Sequence, residues 1–213
     1  MRDIDVRRAI RANLEQLHGC DSQTRIVEEM GVWANTVRID VAVINGELTG
    51  YELKSARDTL ARLPFQAEIY GKVFDRLTLV AAAKHIDAAT KVVPGWWGLV
   101  EASIPLDGQV ELRLVRPSEP NPAPDLQITA ELLWKAEAYD ILEMHGLARG
   151  YRSKPLAKLH QRLAQELRPA LLREEVRLAL KRRENWLGQE GSNQLHVSVH
   201  AQAHPVAQSL GSC

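Results

Sequence analysis

The sequence predicts an α/β protein in which helices flank a mixed central β-sheet and three further helices follow. Over residues 1–115, segments with strand patterns alternate with segments of helical period, which indicates layers of helix against sheet. The strand pattern at 36–44 is apolar on both faces, as in a strand covered on both sides. After the proline-rich segment 116–125 the strand patterns stop, and only helical periods continue.

The N-terminal elements are predicted as two helices and a β-hairpin. Apolar residues spaced near 3.6 predict a first helix from about Ile4 to Leu17, and a shorter helix is predicted over residues 24–30. The hairpin strands, 36–44 and 48–55, are joined at Asn45-Gly46, a dipeptide typical of tight hairpin turns.

The first hairpin strand is predicted to be buried on both faces. Because side chains alternate along a strand, we expect Ile39, Val41 and Val43 on one face. Ala42 and Ile44 are then expected on the other face.

A helix, a strand, a second helix and two more strands complete the predicted core. Pro64 must interrupt or restart the helix predicted over residues 58–74, because proline is tolerated only in a first turn. Trp96 and Trp97 are adjacent, so at most one of them can join a base-stacking surface, and core packing is predicted instead. The remaining elements are a strand at 76–83, a helix at 84–93, and strands at 96–103 and 110–115.

Three segments are predicted to follow the core, which spans residues 1–115. Residues 116–125 contain four prolines and are predicted to form a semi-rigid linker. Residues 126–186 are predicted to form a basic helical appendage, and residues 187–213, which show no sustained period, are predicted to be a disordered tail. The three predicted helices of the appendage lie at 126–146, 154–167 and 169–186.

The composition is that of a globular protein. Apolar residues make up 45% and charged residues 25% of the 213 residues, which indicates neither a disordered chain nor a membrane protein. No segment has about 18 uninterrupted apolar residues and the N-terminus lacks a signal-peptide core, so a cytoplasmic protein is expected. The two cysteines cannot form a disulfide framework, which fits a reducing compartment.

The net charge of zero conceals an uneven distribution. Residues 1–148 contain 16 Lys and Arg against 22 Asp and Glu, whereas residues 149–183 contain 11 against 3. A basic segment of this kind favours an acidic partner, with nucleic acid the first candidate, and its alternative is a solvated helical face.

Three charged residues, Asp40, Glu52 and Lys54, lie in the predicted buried hairpin. Burial of an ionised side chain is unfavourable unless a partner, a metal ion or a shifted pKa compensates it. Glu52 and Lys54 are two residues apart on one strand and therefore point to the same face.

The hairpin register decides whether Asp40 joins them. A two-residue Asn45-Gly46 turn would pair Asp40 with Tyr51 and send Glu52 to the other face. A shift of one residue, from a three-residue loop or from a β-bulge at Gly50, would place Asp40 opposite Glu52 with Cβ atoms about 5 Å apart. We predict this shift.

Two carboxylates at that separation repel each other unless a cation lies between them. Mg²⁺ is commonly held by one or two carboxylates together with phosphate oxygens, and Lys54 could hold the attacking water or stabilise charge on the phosphate. The residues therefore predict metal-assisted hydrolysis of a phosphodiester. The alternative is a cross-strand ion-pair cluster at the end of a sheet.

Asp40 followed by Glu52-Leu53-Lys54 resembles the PD-(D/E)XK nuclease superfamily. That superfamily has a restriction-endonuclease-like core, in which an Asp and an (Asp/Glu)-x-Lys on a β-hairpin bind Mg²⁺. The similarity covers roughly residues 20–185, through "RIDVAVINGELTGYELKSARDTLARLPFQAEIY", "FDRLTLV" and "VPGWWGLV", and it extends to a group of small bacterial proteins with a comparable C-terminal region.

The resemblance implies roles for the hairpin residues. Asp40 and Glu52 correspond to metal ligands, Lys54 corresponds to the catalytic lysine, and the implied cofactor is Mg²⁺ or Mn²⁺. An acidic residue on the preceding helix often completes such sites, and Glu29 fits that position better than Glu28.

The resemblance also assigns residues after the hairpin. Gln66 and Tyr70 match the Gln-x-x-x-Tyr element of the RecB-like branch, and their spacing of four puts them on one helical face. Arg62, close in sequence to this site, could contact a phosphate or support the helix. Position 56 is Ala where many relatives carry an acidic residue.

The function expected from these residues is a Mg²⁺-dependent DNA nuclease, in DNA repair or in defence against phages and mobile elements. One alternative is a nuclease-fold module with weak or no catalysis that binds nucleic acid or a protein partner. Another is a structure-selective enzyme that acts only with partners. DNA is the expected partner, no membrane is expected, and a homodimer or a protein partner is left open.

Overall fold

The computed structural model describes residues 1–33, 36–105, 108–184 and 186. They form an α/β fold in which a six-stranded sheet is flanked by helices, as the sequence predicts. The strands are β1 Arg25–Val32, β2 Val37–Ile44, β3 Leu48–Lys54, β4 Arg76–Ala82, β5 Gly98–Ser103 and β6 Glu111–Arg116. The helices are α1 Asp3–His18, α2 Leu63–Tyr70, α3 Ala83–Thr90, α4 Leu126–Ala130, α5 Lys135–Met144, α6 Leu156–Glu166 and α7 Pro169–Arg182.

The sheet is mixed, and its strands lie in chain order from β1 to β6. The pairs β1–β2, β2–β3 and β5–β6 are antiparallel, whereas β3–β4 and β4–β5 are parallel. The helix that Pro64 was expected to interrupt or restart begins at Leu63, so proline occupies its first turn. These connections bring the carboxyl end of β3 next to the amino-terminal part of α2.

Both faces of the sheet are covered. Helix α1 packs Val6 and Ile10 against one face, in a cluster with Val41 and Val43. The other face packs against α2 and the C-terminal helices in one larger cluster. The prediction that β2 is buried on both sides is confirmed, and Trp97 is fully buried as predicted.

The helix predicted over residues 24–30 is wrong, because this segment is strand β1. It pairs with β2 from Arg25 opposite Ile44 to Val32 opposite Val37. The apolar residues of this segment fit a helical period and a strand about equally well, and the exposed edge of β2 selects the strand.

The predicted faces of β2 are correct except at Ile39. Ile39 packs in the same cluster as Ala42 and Ile44, instead of sharing the face of Val41 and Val43. The alternation along β2 therefore changes by one residue between Ile39 and Ala42.

The cause of this change lies at Glu29 and Asp40. In the ladder between β1 and β2, Glu28 pairs with Val41 and Met30 pairs with Ile39. Glu29 and Asp40 lie between these two pairs and are not paired in the ladder. Glu29 has a φ of 53°, in the left-handed region that costs energy for a residue with a side chain. Because of this irregularity, the side chains of Glu29 and Asp40 do not follow the regular alternation between the two faces of the sheet.

Within the described residues, four helices follow the sheet where the sequence predicts three. The segment 126–146 forms α4 and α5, separated at residues 131–134, and Glu137 accepts a hydrogen bond from the Trp134 backbone N–H at 2.7 Å to cap the second helix. The proline-rich segment 116–125 is tied to the core, because the Asn121 side chain donates to the carbonyls of Gly71 and Phe74.

The division into a core at 1–115, a linker at 116–125 and an appendage at 126–186 stays a prediction. The predicted tail at 187–213 lies outside the described residues. In the part of the chain that the structure describes, no helix combines the length and the apolar character needed to cross a bilayer.

Candidate active site

The register of the β2–β3 hairpin is shifted by one residue from that of a two-residue turn. Ile44 pairs with Leu48 across a three-residue loop, and the ladder continues to Val41 opposite Tyr51. Asp40 and Glu52 are the next residues beyond this last pair, and the Asp40 side chain accepts a hydrogen bond from the Leu53 backbone N–H. The predicted one-residue shift is therefore confirmed, and it comes from the loop, because Gly50 pairs with Ala42 in a regular ladder.

A cavity of about 540 Å³ opens at this end of the hairpin. Six of the seven residues predicted for the site line it: Glu29, Asp40, Glu52, Lys54, Arg62 and Gln66. Its other walls include Asp3 on α1, Thr36 to Arg38 at the start of β2, and Asp58 and Phe65 around the start of α2. The cavity is thus formed where β1, β2, β3, α1 and α2 meet.

Glu52 and Lys54 are paired in the floor of this cavity. Their exposed fractions are 1% and 6%, and the Lys54 ammonium donates a hydrogen bond to Glu52 Oε1. Glu52 Oε2 is buried and has no hydrogen-bond partner among the described residues. Burial first, and the Asp40 charge second, raise the pKa of Glu52 to about 7. This carboxylate is therefore incompletely compensated by the protein.

Asp40 is held by the backbone of β3 and by α1. Its Oδ2 accepts a hydrogen bond from the Leu53 backbone N–H at 2.7 Å, and its Oδ1 accepts one from Arg7 at 2.9 Å. Burial raises the pKa of Asp40, and the Leu53 N–H and the Arg7 charge partly oppose that rise. Both oxygens of Asp40 thus have donors, in contrast to Glu52.

Arg7 is a residue of this cluster that the sequence did not indicate. Its Nη2 lies 2.8 Å from Glu29 Oε1 and 2.9 Å from Asp40 Oδ1, and its Nη1 donates to the Asp40 carbonyl at 3.1 Å. Arg7 is one of several arginines on α1, and nothing in its spacing distinguishes it. The guanidinium lies between the two carboxylates where a cation would otherwise be expected.

Glu29 reaches the cavity from a strand, and not from the helix on which it was predicted to lie. Its half-exposed carboxylate binds Arg7, while the neighbouring Glu28 pairs with Arg11 outside the cavity. Among the described residues, no group of three or more His, Cys, Asp or Glu side chains is arranged to hold a metal ion. The carboxylates of Asp40, Glu52 and Glu29, which were expected to bind a metal ion together, therefore do not form such a group in this structure.

Gln66 and Tyr70 lie on one face of α2, as predicted, but in different surroundings. Gln66 lines the cavity and donates to the Tyr70 hydroxyl at 3.4 Å, and its Oε1 is buried without a partner among the described residues. Tyr70 lies behind the cavity wall and donates to the Arg38 carbonyl. Burial, and then the Glu52 charge, raise the pKa of Tyr70, which stays a neutral donor. Tyr70 thus ties α2 to β2.

Comparison with known sequences identifies a family. Residues 4–197 match the family described as Bacteriophage P4 protein cII. The chain belongs to this family. Protein cII of Enterobacteria phage P4 is 27% identical over 178 residues, which is 84% of this chain and 66% of the relative. The alignment therefore spans just under two thirds of that cII protein.

A solved structure shows a weaker similarity to this cII family member. A protein of unknown function from Silicibacter pomeroyi aligns with a TM-score of 0.37 and 22% identity, over 71% of this chain and 92% of that protein.

Proposed function

We propose that the protein is a Mg²⁺-dependent DNA nuclease of the PD-(D/E)XK type, with Asp40, Glu52 and Lys54 as its active-site residues. The observation that carries the proposal is the register of the β2–β3 hairpin, in which Asp40 and Glu52 directly follow the last pair, Val41 and Tyr51, and line one cavity. Lys54 lies two residues beyond Glu52 on the same face and is held by it. Mn²⁺ would serve the same site.

The residues fit one divalent cation. Glu52 Oε2 is a buried carboxyl oxygen that makes no hydrogen bond of normal geometry to a described residue, although the Tyr70 hydroxyl lies close enough to lower the pKa of Glu52. Burial and the nearby Asp40 charge raise that pKa. Mg²⁺ retains several waters and needs only one or two carboxylates when phosphate oxygens complete its shell. Such an ion would be held by Glu52 and Asp40, and it would supply Lewis-acid activation of the phosphodiester. Glu29 contributes to the site through Arg7.

The chain itself supplies the remaining parts of a hydrolytic site. Arg38 and Arg62 line the cavity and can neutralise a phosphate that enters it. Lys54 would donate a hydrogen bond to the charge that develops on the phosphate, or orient the attacking water. Because Glu52 fixes the Lys54 ammonium, this donor needs little reorganisation during the reaction.

A specific observation favours a second candidate, a nuclease-fold module that binds nucleic acid with little or no catalysis. Arg7 already neutralises Asp40 and Glu29, so part of the anionic site is compensated without any metal. In that case the cavity would hold a phosphate through Arg38 and Arg62, and Mg²⁺ would be dispensable.

A matched set of variants tests the proposal. The protein is incubated with plasmid, linear single-stranded and branched DNA, with Mg²⁺, Mn²⁺ or EDTA. Glu52→Gln and Lys54→Met are compared with Glu47→Gln and Lys72→Met, which make the same chemical changes at ion pairs outside the cavity. We expect metal-dependent cleavage by the native protein and by both controls, and a loss of about 100-fold or more in both site variants.

Two outcomes would contradict the proposal. Equal cleavage by the native protein, Glu52→Gln and Lys54→Met would show that this site does not cut DNA. No cleavage by the native protein, together with DNA binding that weakens steeply with salt in EDTA, would favour the binding module.

A further inference from the structure

A second cavity, of about 380 Å³, lies where the end of β1 meets the C-terminal helices. Gly31 and Trp33 form its β1 side, whereas α6 and the segments that flank α4 and α7 form the rest. We call it the tryptophan pocket, because three of the protein's five tryptophans line it: Trp33, Trp134 and Trp186. A cavity of this size suits a small planar ligand and is too small for a helix.

Arg183, which lines the tryptophan pocket, is already paired with a carboxylate, and the other ionised side chain in the lining, Glu131, is acidic and accepts a hydrogen bond from Gln127. Arg183 lies between two indole rings, with its guanidinium carbon 4.0 Å from the centre of the Trp134 ring and 4.7 Å from that of Trp186. Its Nε donates to Glu137 Oε1 at 2.9 Å, and its Nη2 donates to the second oxygen of Glu137 and to the Leu132 carbonyl. A phosphate would find no free positive charge at Arg183, so these contacts favour a neutral ligand.

The pocket offers aromatic surface together with a few polar groups. Trp33 and Trp134 each expose 38% of their surface. The Trp186 indole N–H is buried without a hydrogen-bond partner among the described residues. His160 bonds through Nε2 to the Leu133 carbonyl at 3.0 Å, and because a carbonyl only accepts, this nitrogen carries the hydrogen. Its other nitrogen is then an acceptor.

Trp33 is held in a strained conformation beside this opening. Its φ is 51°, in the left-handed region that bulky side chains rarely adopt. Strain of this kind occurs preferentially at ligand-binding positions. Trp33 follows β1 directly, and Thr36, three residues later, lines the cavity with Asp40. The β1–β2 connection therefore contributes walls to both cavities.

We propose that the tryptophan pocket binds an unstacked nucleobase of a single-stranded nucleic acid. A nucleobase is planar and neutral, stacks on indole rings, and carries donors and acceptors on its edge for the polar groups described above. The proposal names a substrate feature, an unpaired base, for the proposed nuclease and rests on that function for its biological meaning. Binding of the base needs neither metal nor catalysis.

The test uses a ten-nucleotide single strand that carries 2-aminopurine, whose fluorescence falls when it stacks on an indole ring. The full chain is titrated in EDTA with this strand, and an unlabelled strand that has an abasic site at the same position is then titrated in as a competitor. Trp33→Ala removes an exposed indole, Trp33→Phe retains an aromatic ring, and Trp96→Phe is the control outside the pocket. Circular dichroism establishes that each variant is folded.

We expect saturable quenching by the native protein and by Trp96→Phe, and a loss of affinity of about 5- to 150-fold in Trp33→Ala, the range of one base–aromatic stack. Trp33→Phe should retain most of the affinity. With the native protein, the abasic strand should bind more weakly than the 2-aminopurine strand by a similar factor. With Trp33→Ala, the two strands should bind with nearly the same affinity, because the substitution and the missing base remove the same contact.

Unchanged affinity in folded Trp33→Ala would overturn the proposal. An abasic loss of the same size in both proteins would also overturn it, because the base would then contact residues other than Trp33. The proposed nuclease stands or falls separately. Quenching without any metal-dependent cleavage would reject the nuclease and support base binding in the tryptophan pocket. Cleavage without quenching would support the nuclease and reject base binding in the pocket.

Discussion

At the scale of single residues, Glu52 links stability to pH. Its pKa of about 7 in the fold lies above the ordinary value of 4.5, so the folded state binds the proton more tightly than the unfolded state. The stabilisation from this proton is present below pH 4.5 and is lost as the pH rises to about 7. In EDTA, Glu52→Gln should therefore gain about 1–3 kcal/mol relative to the native protein between pH 4.5 and pH 8. Urea unfolding across this pH range measures the gain.

The control for this prediction is Glu47→Gln, a glutamate in the hairpin loop that pairs with Arg76 at 2.7 Å. Its curve of unfolding free energy against pH should run parallel to that of the native protein. A Glu52→Gln curve that is also parallel to the native curve would show that Glu52 titrates normally in the fold.

Arg7 allows a second prediction at this scale. Its replacement by Met leaves Asp40 and Glu29 without their shared cation, at a site where Arg7 and Asp40 are mostly buried. We expect Arg7→Met to lower the free energy of unfolding at pH 7 by about 1–3 kcal/mol in EDTA, because two carboxylates lose their counter-charge. The same variant should bind Mn²⁺ several-fold more tightly, because Asp40 Oδ1 becomes free. Urea unfolding and titration calorimetry measure the two effects.

The matched control is Arg11→Met on the same helix, where Arg11 pairs with Glu15 and Glu28 at a half-exposed position. It should change stability by no more than about 0.5 kcal/mol and leave Mn²⁺ affinity unchanged. Weaker Mn²⁺ binding by Arg7→Met would mean that Arg7 assembles the metal site, and does not compete with the ion.

At the scale of elements, the β2–β3 hairpin contains two glycines, Gly46 and Gly50, in different surroundings. A Cβ added at Gly50 would lie 2.7 Å from Leu77 Cδ2 and 3.0 Å from Phe74 Cδ1, whereas one added at Gly46 has nothing within 4 Å. Leu77 and Phe74 are fully buried and have little room to move. Gly50→Ala should therefore lower the free energy of unfolding by about 1–3 kcal/mol, and Gly46→Ala should change it by less than about 0.5 kcal/mol. Equal stability of the two variants in urea unfolding would contradict this packing.

The same hairpin shows why part of the site could be predicted from the sequence. Its register depends on a period of two and on the length of one short loop, so counting from Asn45 reduces the choice to a two-residue turn or a shift of one residue, and the structure has the shift. The sequence also allows a β-bulge at Gly50 as the source of the shift, whereas in the structure Gly50 pairs regularly and packs closely against Leu77 and Phe74.

Other parts of the site depend on partners that lie far away in the sequence. Residues 24–30 became a strand because β2 offered an edge, and local periodicity does not contain that information. Arg7 reaches Asp40 across 33 residues, as one of several similar arginines on its helix. The tryptophan pocket brings together β1 and the C-terminal helices in the same way. Local patterns thus predicted the hairpin but not the contacts made around it.

At the scale of the whole molecule, much of the C-terminal positive charge is used internally. Arg173 and Arg177 approach Asp75 at 3.4 and 3.5 Å, Arg162 pairs with Glu166, and Arg183 pairs with Glu137. These arginines are compensated by the protein's own carboxylates, so fewer charges are available for a phosphate backbone than the excess over residues 149–183 suggests.

The hydrophobic core also continues from the sheet into the C-terminal helices. Leu79 on β4 and Leu163 on α6 belong to one cluster, and both side chains are fully buried. We therefore expect sheet and helices to unfold as one cooperative unit. Leu163→Ala should lower the free energy of unfolding by about 2–5 kcal/mol through loss of buried apolar contacts and the cavity left behind. In hydrogen exchange, the most protected amides of β3, β4 and α6 should then lose protection by the same amount.

The control for this last prediction is Leu17→Ala, which truncates an exposed leucine near the end of α1 and should leave exchange in these segments unchanged. Loss of protection confined to the C-terminal helices in Leu163→Ala would instead show a separately folding appendage, joined to the sheet by the segment at 116–125. The two results have opposite consequences for truncation after Asp125. With one cooperative unit, removal of the C-terminal helices exposes the apolar face of the sheet and destroys the site at Glu52. With two units, the truncated chain keeps that site intact.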